Sequence, residues 1–317
     1  MMNKIKYKNT PPLLRFKEGV LVLLLLLSAS VSYAQMDIQL NSYSQHPYYI
    51  TPAYINNEKY IVFTLAARKQ WVNFNGAPTT IFGSVAYYVE DINTQVGFRA
   101  FSDKMGYTSV LDLSLIYAYN LSLNDNWKTN LGLALSYQSL DYDLSKISFE
   151  GADENIIYDK LQPQKGFNAD VGVEVYNAEW RFGAASRNLV SLLKKENTLH
   201  LNTNYLYGIY KQNTTNPVNF GGSLFGIQYG NRIQAEVNAA AFFKSNEEER
   251  FHVGAFYRTP KQVGAFLGIS IIPSLSLSYS YSYNFGFGTF RLGQTHEIMI
   301  SYKLDPTPIF RWDELLK

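Results

Sequence analysis

The stretch "SLSLSYSYSYNF", Ser274 to Phe285, sets Leu275, Leu277, Tyr279, Tyr281 and Tyr283 against a row of serines. Successive side chains on a strand point to opposite faces, so an extended chain here has one apolar face that grades into tyrosine and one face of hydroxyls. A helix would mix the two sets. "SVLDLSLIYAYNL", Ser109 to Leu121, repeats the pattern, with Val110, Asp112, Ser114, Ile116 and Ala118 opposed to Leu111, Leu113, Leu115, Tyr117 and Tyr119. "NLGLALSYQSL", Asn130 to Leu140, opposes Leu131, Leu133, Leu135 and Tyr137 to Gly132, Ala134, Ser136 and Gln138.

Working outward, the chain after residue 34 is a succession of such segments, separated by clusters of Gly, Asn, Asp and Pro. A water-soluble β-sandwich also alternates, so the period of two does not decide alone. Strand length helps, because a tilted strand needs about 9 to 11 residues to cross a bilayer, whereas soluble strands run about 5 or 6. Rows of small polar residues opposite an apolar face edged with tyrosine fit a wall between lipid and a lumen. The expected fold is therefore all-β, a single antiparallel transmembrane β-barrel.

Segments begin near Tyr60, Thr79, Thr94, Tyr107, Lys128, Gly166, Ala178, His200, Val218, Asn231, Arg250, Gln262, Ser274 and Thr295, which predicts about 14 strands. An even count returns both ends to one side, and the longer connections belong on the other. Residues 143–166 and 186–199 fall on that outer side, while "VEDIN", "YNAE" and "SNEEE" make short inner turns. "KQNTTNPVN", Lys211 to Asn219, is longer than its position calls for.

Composition agrees. Charged residues are 17% of the 317, below the roughly 25% of soluble domains, and 25 Tyr with 20 Phe raise the aromatic share to 15%. There is no cysteine, which excludes disulfides, thiolate metal sites and a lipoprotein anchor. At the start, Lys4, Lys6, Lys8, Arg15 and Lys17 precede the apolar run Gly19 to Leu27 and the small-residue site "SYA" ending at Ala34. That order predicts a cleaved export signal over 1–34, since nine apolar residues are far short of the roughly 20 a spanning helix needs. The remaining chain has 23 basic and 25 acidic side chains, net −2, which leaves nucleic-acid binding without support. The expected organisation is a signal over 1–34, a periplasmic or lumenal segment over 35–59, the barrel over 60–304 and a periplasmic tail over 305–317.

Catalysis has little to stand on. The four histidines, His46, His200, His252 and His296, are not spaced as metal ligands, and His296 with Ser301 or Ser270 is the one conceivable hydrolytic pair. The bland reading places His296 at a membrane interface. "GFGTFRLG" and "GGSLFG" lack the following Lys and Ser/Thr of a phosphate loop, and "NEEER" reads as a solvated turn. No enzyme activity, cofactor or metal is expected.

Two further stretches stand out, "SQHPYYITPAYIN" from Ser44 and "RKQWVNFNGAP" from Arg68, both too aromatic for a flexible leader. Pro52, Ala53 and Tyr54, then Arg68, Gln70 and Trp71, then Gly76, Ala77 and Pro78 resemble, in order and spacing, the opening of the PorP/SprF family of outer-membrane proteins of the type IX secretion and gliding machinery. "FSDKMGYTS", "DLSKI", "GAFYRTPKQVGAFLG", "YSYNFG" and "THEIMISYKL" resemble later parts of the family pattern. Thr51, where the family usually has Asn, and Ile55 with Asn56 depart from it.

The resemblance implies an accessory barrel in outer-membrane lipid that supports secretion or surface attachment of particular cargo, such as adhesins with a C-terminal sorting domain. Its implied partners are periplasmic and translocon components of the type IX system. Pro52 to Tyr54 are candidates to pack in the lumen or on a partner, with the run shaping the first strand as the plain alternative. Arg68 is a candidate lumenal residue and Trp71 a candidate interface anchor. In the tail "DPTPIFRWDELLK", Phe310, Trp312 and Leu315 are candidates for docking, against a frayed end. The competing functions are a porin or small-solute transport barrel, and a structural anchor for a complex.

Overall fold

The computed structural model describes residues 40–56, 59–72, 74–143, 162–193, 200–246, 248–285 and 293–306. The period-two segments become strands because each alternation gives one face to bury and one to expose. They are β1 (Ile61–Lys69), β2 (Thr79–Val89), β3 (Thr94–Met105), β4 (Thr108–Ser122), β5 (Lys128–Tyr142), β6 (Gln164–Tyr176) and β7 (Trp180–Arg187). The second half supplies β8 (Thr203–Lys211), β9 (Val218–Tyr229), β10 (Arg232–Ser245), β11 (Glu248–Arg258), β12 (Gln262–Ile272), β13 (Leu275–Asn284) and β14 (Gly293–Leu304). Each observed start lies within three residues of the expected one, the largest offset falling at β8.

Every strand pairs with its sequence neighbours, and β14 returns to β1 to close the barrel. The closing seam is antiparallel over the whole of β1, from Ile61 opposite Leu304 to Lys69 opposite His296. Closure removes both sheet edges, which satisfies the main-chain groups that lipid could not. Both ends of the barrel sequence lie at one rim. The connections at that rim are short (90–93, 123–127, 177–179, 212–217, 246–247, 273–274), and the opposite rim carries the long spans 143–163 and 188–202. This asymmetry assigns the first rim to the periplasm.

The barrel is inside out. Leu115, Leu135, Leu206 and Ile233 are 67%, 70%, 68% and 80% exposed on the outer surface. An apolar band of this kind calls for lipid around it. Aromatics edge the band at both rims: Trp180 stacks on Phe182 and packs on Tyr210 near the periplasmic turns, while Tyr107 and Tyr142 meet near the outer ones.

Leu135 stands at the middle of β5, whereas Leu121 is next to the periplasmic end of β4. Leu135→Arg is therefore expected to destabilise the vesicle-inserted barrel by about 2–4 kcal/mol, and Leu121→Arg by about 0–1 kcal/mol. Urea titration of folded protein in lipid vesicles measures both.

Candidate functional site: a plugged lumen and its vestibule

Residues 40–56 run inside the barrel. The segment has no periodic apolar face, and Pro47 and Pro52 fix its backbone, so it folds as turns rather than as a strand or long helix. Two 3₁₀ turns, Asn41–Ser44 and Pro47–Tyr49, compact it. Ile50, Thr51 and Ala53 have no exposed surface. Tyr43 meets Phe225 edge-on at 4.7 Å between ring centres, and Tyr49 meets Phe82 at 5.4 Å.

A plug made of turns leaves many of its peptide groups without main-chain partners, and burying them unpaired would be costly. Wall side chains supply the partners. Glu297 of β14 accepts the main-chain N–H of Asn41 at 2.6 Å and of Ser42 at 3.0 Å, and also the Ser42 hydroxyl. Arg99 of β3 donates through Nη1 to the carbonyls of Tyr49, at 2.9 Å, and Tyr48, at 3.4 Å. Gln95 grips the other end, accepting from the Asn56 N–H at 3.0 Å and donating to the Tyr54 carbonyl at 2.8 Å.

Each charged clamp has a counter-charge. Arg99 pairs with Asp170 at 2.8 Å, and both are 1% exposed. Asp170 also takes Arg187 at 3.3 Å and the Asn188 N–H at 2.9 Å, while Asp112 accepts from Ser114 at 2.7 Å and Gln138 at 2.9 Å. Arg258 bonds Glu236 at 2.6 Å and reaches the Asn41 side chain at 3.5 Å. Glu174 holds Arg181, Tyr207 and Asn130. Buried ions are tolerated on these terms, and removing one partner strands the other.

The wall is shaped to the plug as well as bonded to it. At Gly132 a Cβ would overlap the Ala53 nitrogen and the Pro52 carbonyl, and at Gly172 it would overlap the Thr51 hydroxyl. Here the missing side chains let two backbones approach closely.

The structure sorts the residues singled out in the sequence. Pro52, Ala53 and Tyr54 lie in the lumen, and the Arg181 guanidinium sits 4.7 Å over the Tyr54 ring. Arg68 is 4% exposed inside β1, 3.9 Å from Glu297. Gln70, Trp71, Gly76, Ala77 and Pro78 belong to the outer β1–β2 connection, which the Gln70 N–H closes onto the Pro78 carbonyl. Gly76 has φ of +75°, and its carbonyl accepts the Gly106 N–H at 2.8 Å, fastening this loop to the β3–β4 turn. Trp71 is half-buried in that loop. Phe310, Trp312 and Leu315 lie outside the described residues, as do most of "DLSKI" and "GFGTFRLG". His296 bonds Tyr279 at 2.6 Å on the lipid face, whereas Ser301 and Ser270 face the lumen, so that pair is not brought together. Among the described residues no group of His, Asp or Glu could hold a metal. Sequence reading passed over Arg99, Asp170, Arg258, Glu236 and Glu297 as functional residues; their only signal was a charge on the small-residue face of an amphipathic strand.

Below the plug the lumen opens into a vestibule of about 860 Å³ at the periplasmic rim. Its ceiling is the lower plug, from Ser44 to Pro47 with Tyr54, and its wall includes Thr64, Ser84, Phe242, His252, Phe266 and Ser276. The vestibule thus lies beside the lower part of the plug, whose Pro52 to Asn56 run along the periplasmic ends of β3, β5 and β6.

A closed wall with a lipid-facing band, a filled lumen and a periplasmic vestibule define a plugged outer-membrane β-barrel. Among solved structures the chain is similar in fold to the CymD monoaromatic hydrocarbon channel, with a TM-score of 0.50, 9% identity, and 86% of this chain and 95% of that one covered. The Pseudomonas putida toluene transporter TodX (TM-score 0.49, 8% identity, 87% and 95% covered) and Acinetobacter baumannii Omp33 (0.45, 9%, 78% and 99%) are more distant. No curated protein matches. The sequence pattern of the type IX secretion system membrane protein PorP/SprF matches residues 32–302. The chain belongs to the PorP/SprF family, and its place is the outer membrane.

The intact barrel is expected to be closed in planar bilayers, and deletion of residues 40–56 to give steady conductance. Gly132→Val, which crowds the plug at Pro52 and Ala53, is expected to give intermittent openings. Single-channel recording checks all three. Asp170→Ala, which strands Arg99 and leaves Arg187 with Asp112 alone, is expected to cost about 3–5 kcal/mol of barrel stability, read from the urea midpoint.

Proposed function

We propose that this chain is a non-enzymatic accessory barrel of the type IX system that supports the export or surface attachment of a particular set of secreted proteins. The observation that carries this reading is the filled lumen of a barrel whose family is a type IX one. A diffusive pore needs a continuous aqueous path. Here residues 40–56 occupy the lumen through main-chain bonds to Glu297, Arg99 and Gln95, in a seat where Gly132 and Gly172 leave no slack. A plugged barrel with a periplasmic vestibule is suited to receiving a partner from below.

In this reading the partners are periplasmic and translocon components of the system and exported proteins bearing a C-terminal sorting domain. The cargo would be adhesin-like, consistent with the gliding branch of the family. The vestibule favours one competitor, transport of a small solute past a plug that moves.

Deletion of the gene, with complementation by the wild-type copy, separates the two. Loss of one or a few large proteins from the medium and cell surface, with solute uptake unchanged, is the expected result. A complete secretome together with a defect in uptake of a solute would overturn the proposal in favour of transport.

A further inference from the structure

In the vestibule five hydroxyl side chains stand side by side across five neighbouring strands. Ser84 of β2 is opposite Thr64 of β1, Thr64 is opposite Ser301 of β14, Ser301 is opposite Ser276 of β13, and Ser276 is opposite Ser270 of β12. All five line the open cavity. At a strand spacing of about 4.8 Å this belt runs about 19 Å around the wall, the reach of about six residues of extended chain.

Each hydroxyl is both a donor and an acceptor, so the belt can answer N–H and C=O groups alike. The Thr64–Ser301 contact of 3.2 Å and the Ser301 hydroxyl's bond to the Phe63 carbonyl at 3.3 Å use only part of that capacity. Several charged side chains around the cavity pair with one another, Arg181 with Glu174, Lys211 with Glu249 at 2.6 Å, Arg250 with Glu248 at 2.8 Å, and His252 with Glu249 at 2.9 Å, and Glu179 and Lys303 also line it. The five hydroxyls themselves form an uncharged polar strip, in a cavity that also holds the aromatic patch of Phe242, His252 and Phe266.

We propose that the belt seats a short, extended polypeptide segment that enters from the periplasm. Three observations favour polypeptide. The belt is long and lies along a curved wall, which suits a chain. The cavity is continuous with a site where this barrel already holds peptide, since Ser44 to Pro47 of the plug form its ceiling. The wall holds that peptide mainly by its main chain, through Glu297, Arg99 and Gln95. The flanking aromatic patch then takes apolar side chains of the incoming segment. The inference rests on the secretion reading above, with the exported protein supplying the segment.

The test fills the belt and leaves the plug intact. A S84F/S276F chain, shown to be inserted and plugged by its heat-modifiable gel mobility and closed state in bilayers, is expected to lose from the surface the proteins that gene deletion loses. Normal export by that folded chain, where deletion abolishes it, would overturn the vestibule site and leave the accessory role standing. Unchanged export after deletion itself would sink both. Should S84F/S276F fail to insert, the native absence of cysteine allows a second measurement, in which S276C carries a thiol-linked benzophenone in exporting cells. Photo-adducts mapping to a short segment of an exported protein, and absent from the lipid-facing control I81C, are expected. Adducts only with glycan or lipid, or none, would overturn the proposal.

Discussion

The carboxylate of Glu297, accepting the main-chain N–H groups of Asn41 and Ser42, is the contact on which the rest of the lumen depends. A peptide folded as turns inside a barrel cannot join the ladders of the wall. Its donors and acceptors must be met by side chains, and strong acceptors and donors are charged. Charge therefore has to enter the barrel, and each charge brings a counter-charge. Arg68 and Arg258 gather toward Glu297 and Glu236, and Arg99, which serves the carbonyls of Tyr48 and Tyr49, leans on Asp170 and through it on Arg187 and Asp112. The network is dense because the plug is irregular.

This gives a physical reading of the stretches that carry the family resemblance. Arg68 closes "AAR" at the end of β1, Asp103 sits in "FSDKMG", Arg258 in "FYRTP" and Glu297 in "THEIMI". These four are far apart in sequence, and each is on the lumenal side of its strand with 8% exposure or less. Asp103 accepts the Thr80 hydroxyl at 2.5 Å, fixing β2 against β3 beneath the outer turn. Arg258 and Glu297 meet the plug at Asn41. The motifs mark where the wall turns from a lipid barrier into a socket.

The barrel was legible because a strand with lipid on one side and lumen on the other has to alternate, as Leu131, Leu133 and Leu135 do against Gly132, Ala134 and Ser136, and because strand length and the tyrosine edge set that alternation apart from a soluble sandwich. The count and rim assignment came from turn residues and loop lengths. The socket was not legible. Arg99 and Asp170 are 71 positions apart and meet only because β3 and β6 curve round the same lumen. Gly132 and Gly172 read as small residues of an inward face, with nothing to show that a second backbone rests on them. For Pro52 to Tyr54 the sequence left packing in the lumen or on a partner level with a run that merely shapes entry into the first strand, because each use asks for the same proline and tyrosine.

The plug seat and the vestibule hold their contents by different physics. Around the plug, ion pairs buried to 1% exposure and glycine seats hold it through contacts that are costly to break one at a time. In the vestibule the belt of Thr64, Ser84, Ser270, Ser276 and Ser301 presents hydroxyls that water solvates well. A segment laid there exchanges water bonds for hydroxyl bonds of similar strength, so the net gain per contact is small, about 0.5–1.5 kcal/mol. Several contacts in a row add to a useful affinity without making release slow. An accessory protein that receives a chain and gives it up again needs that second regime next to the first, with a seal that stays while the visitor changes.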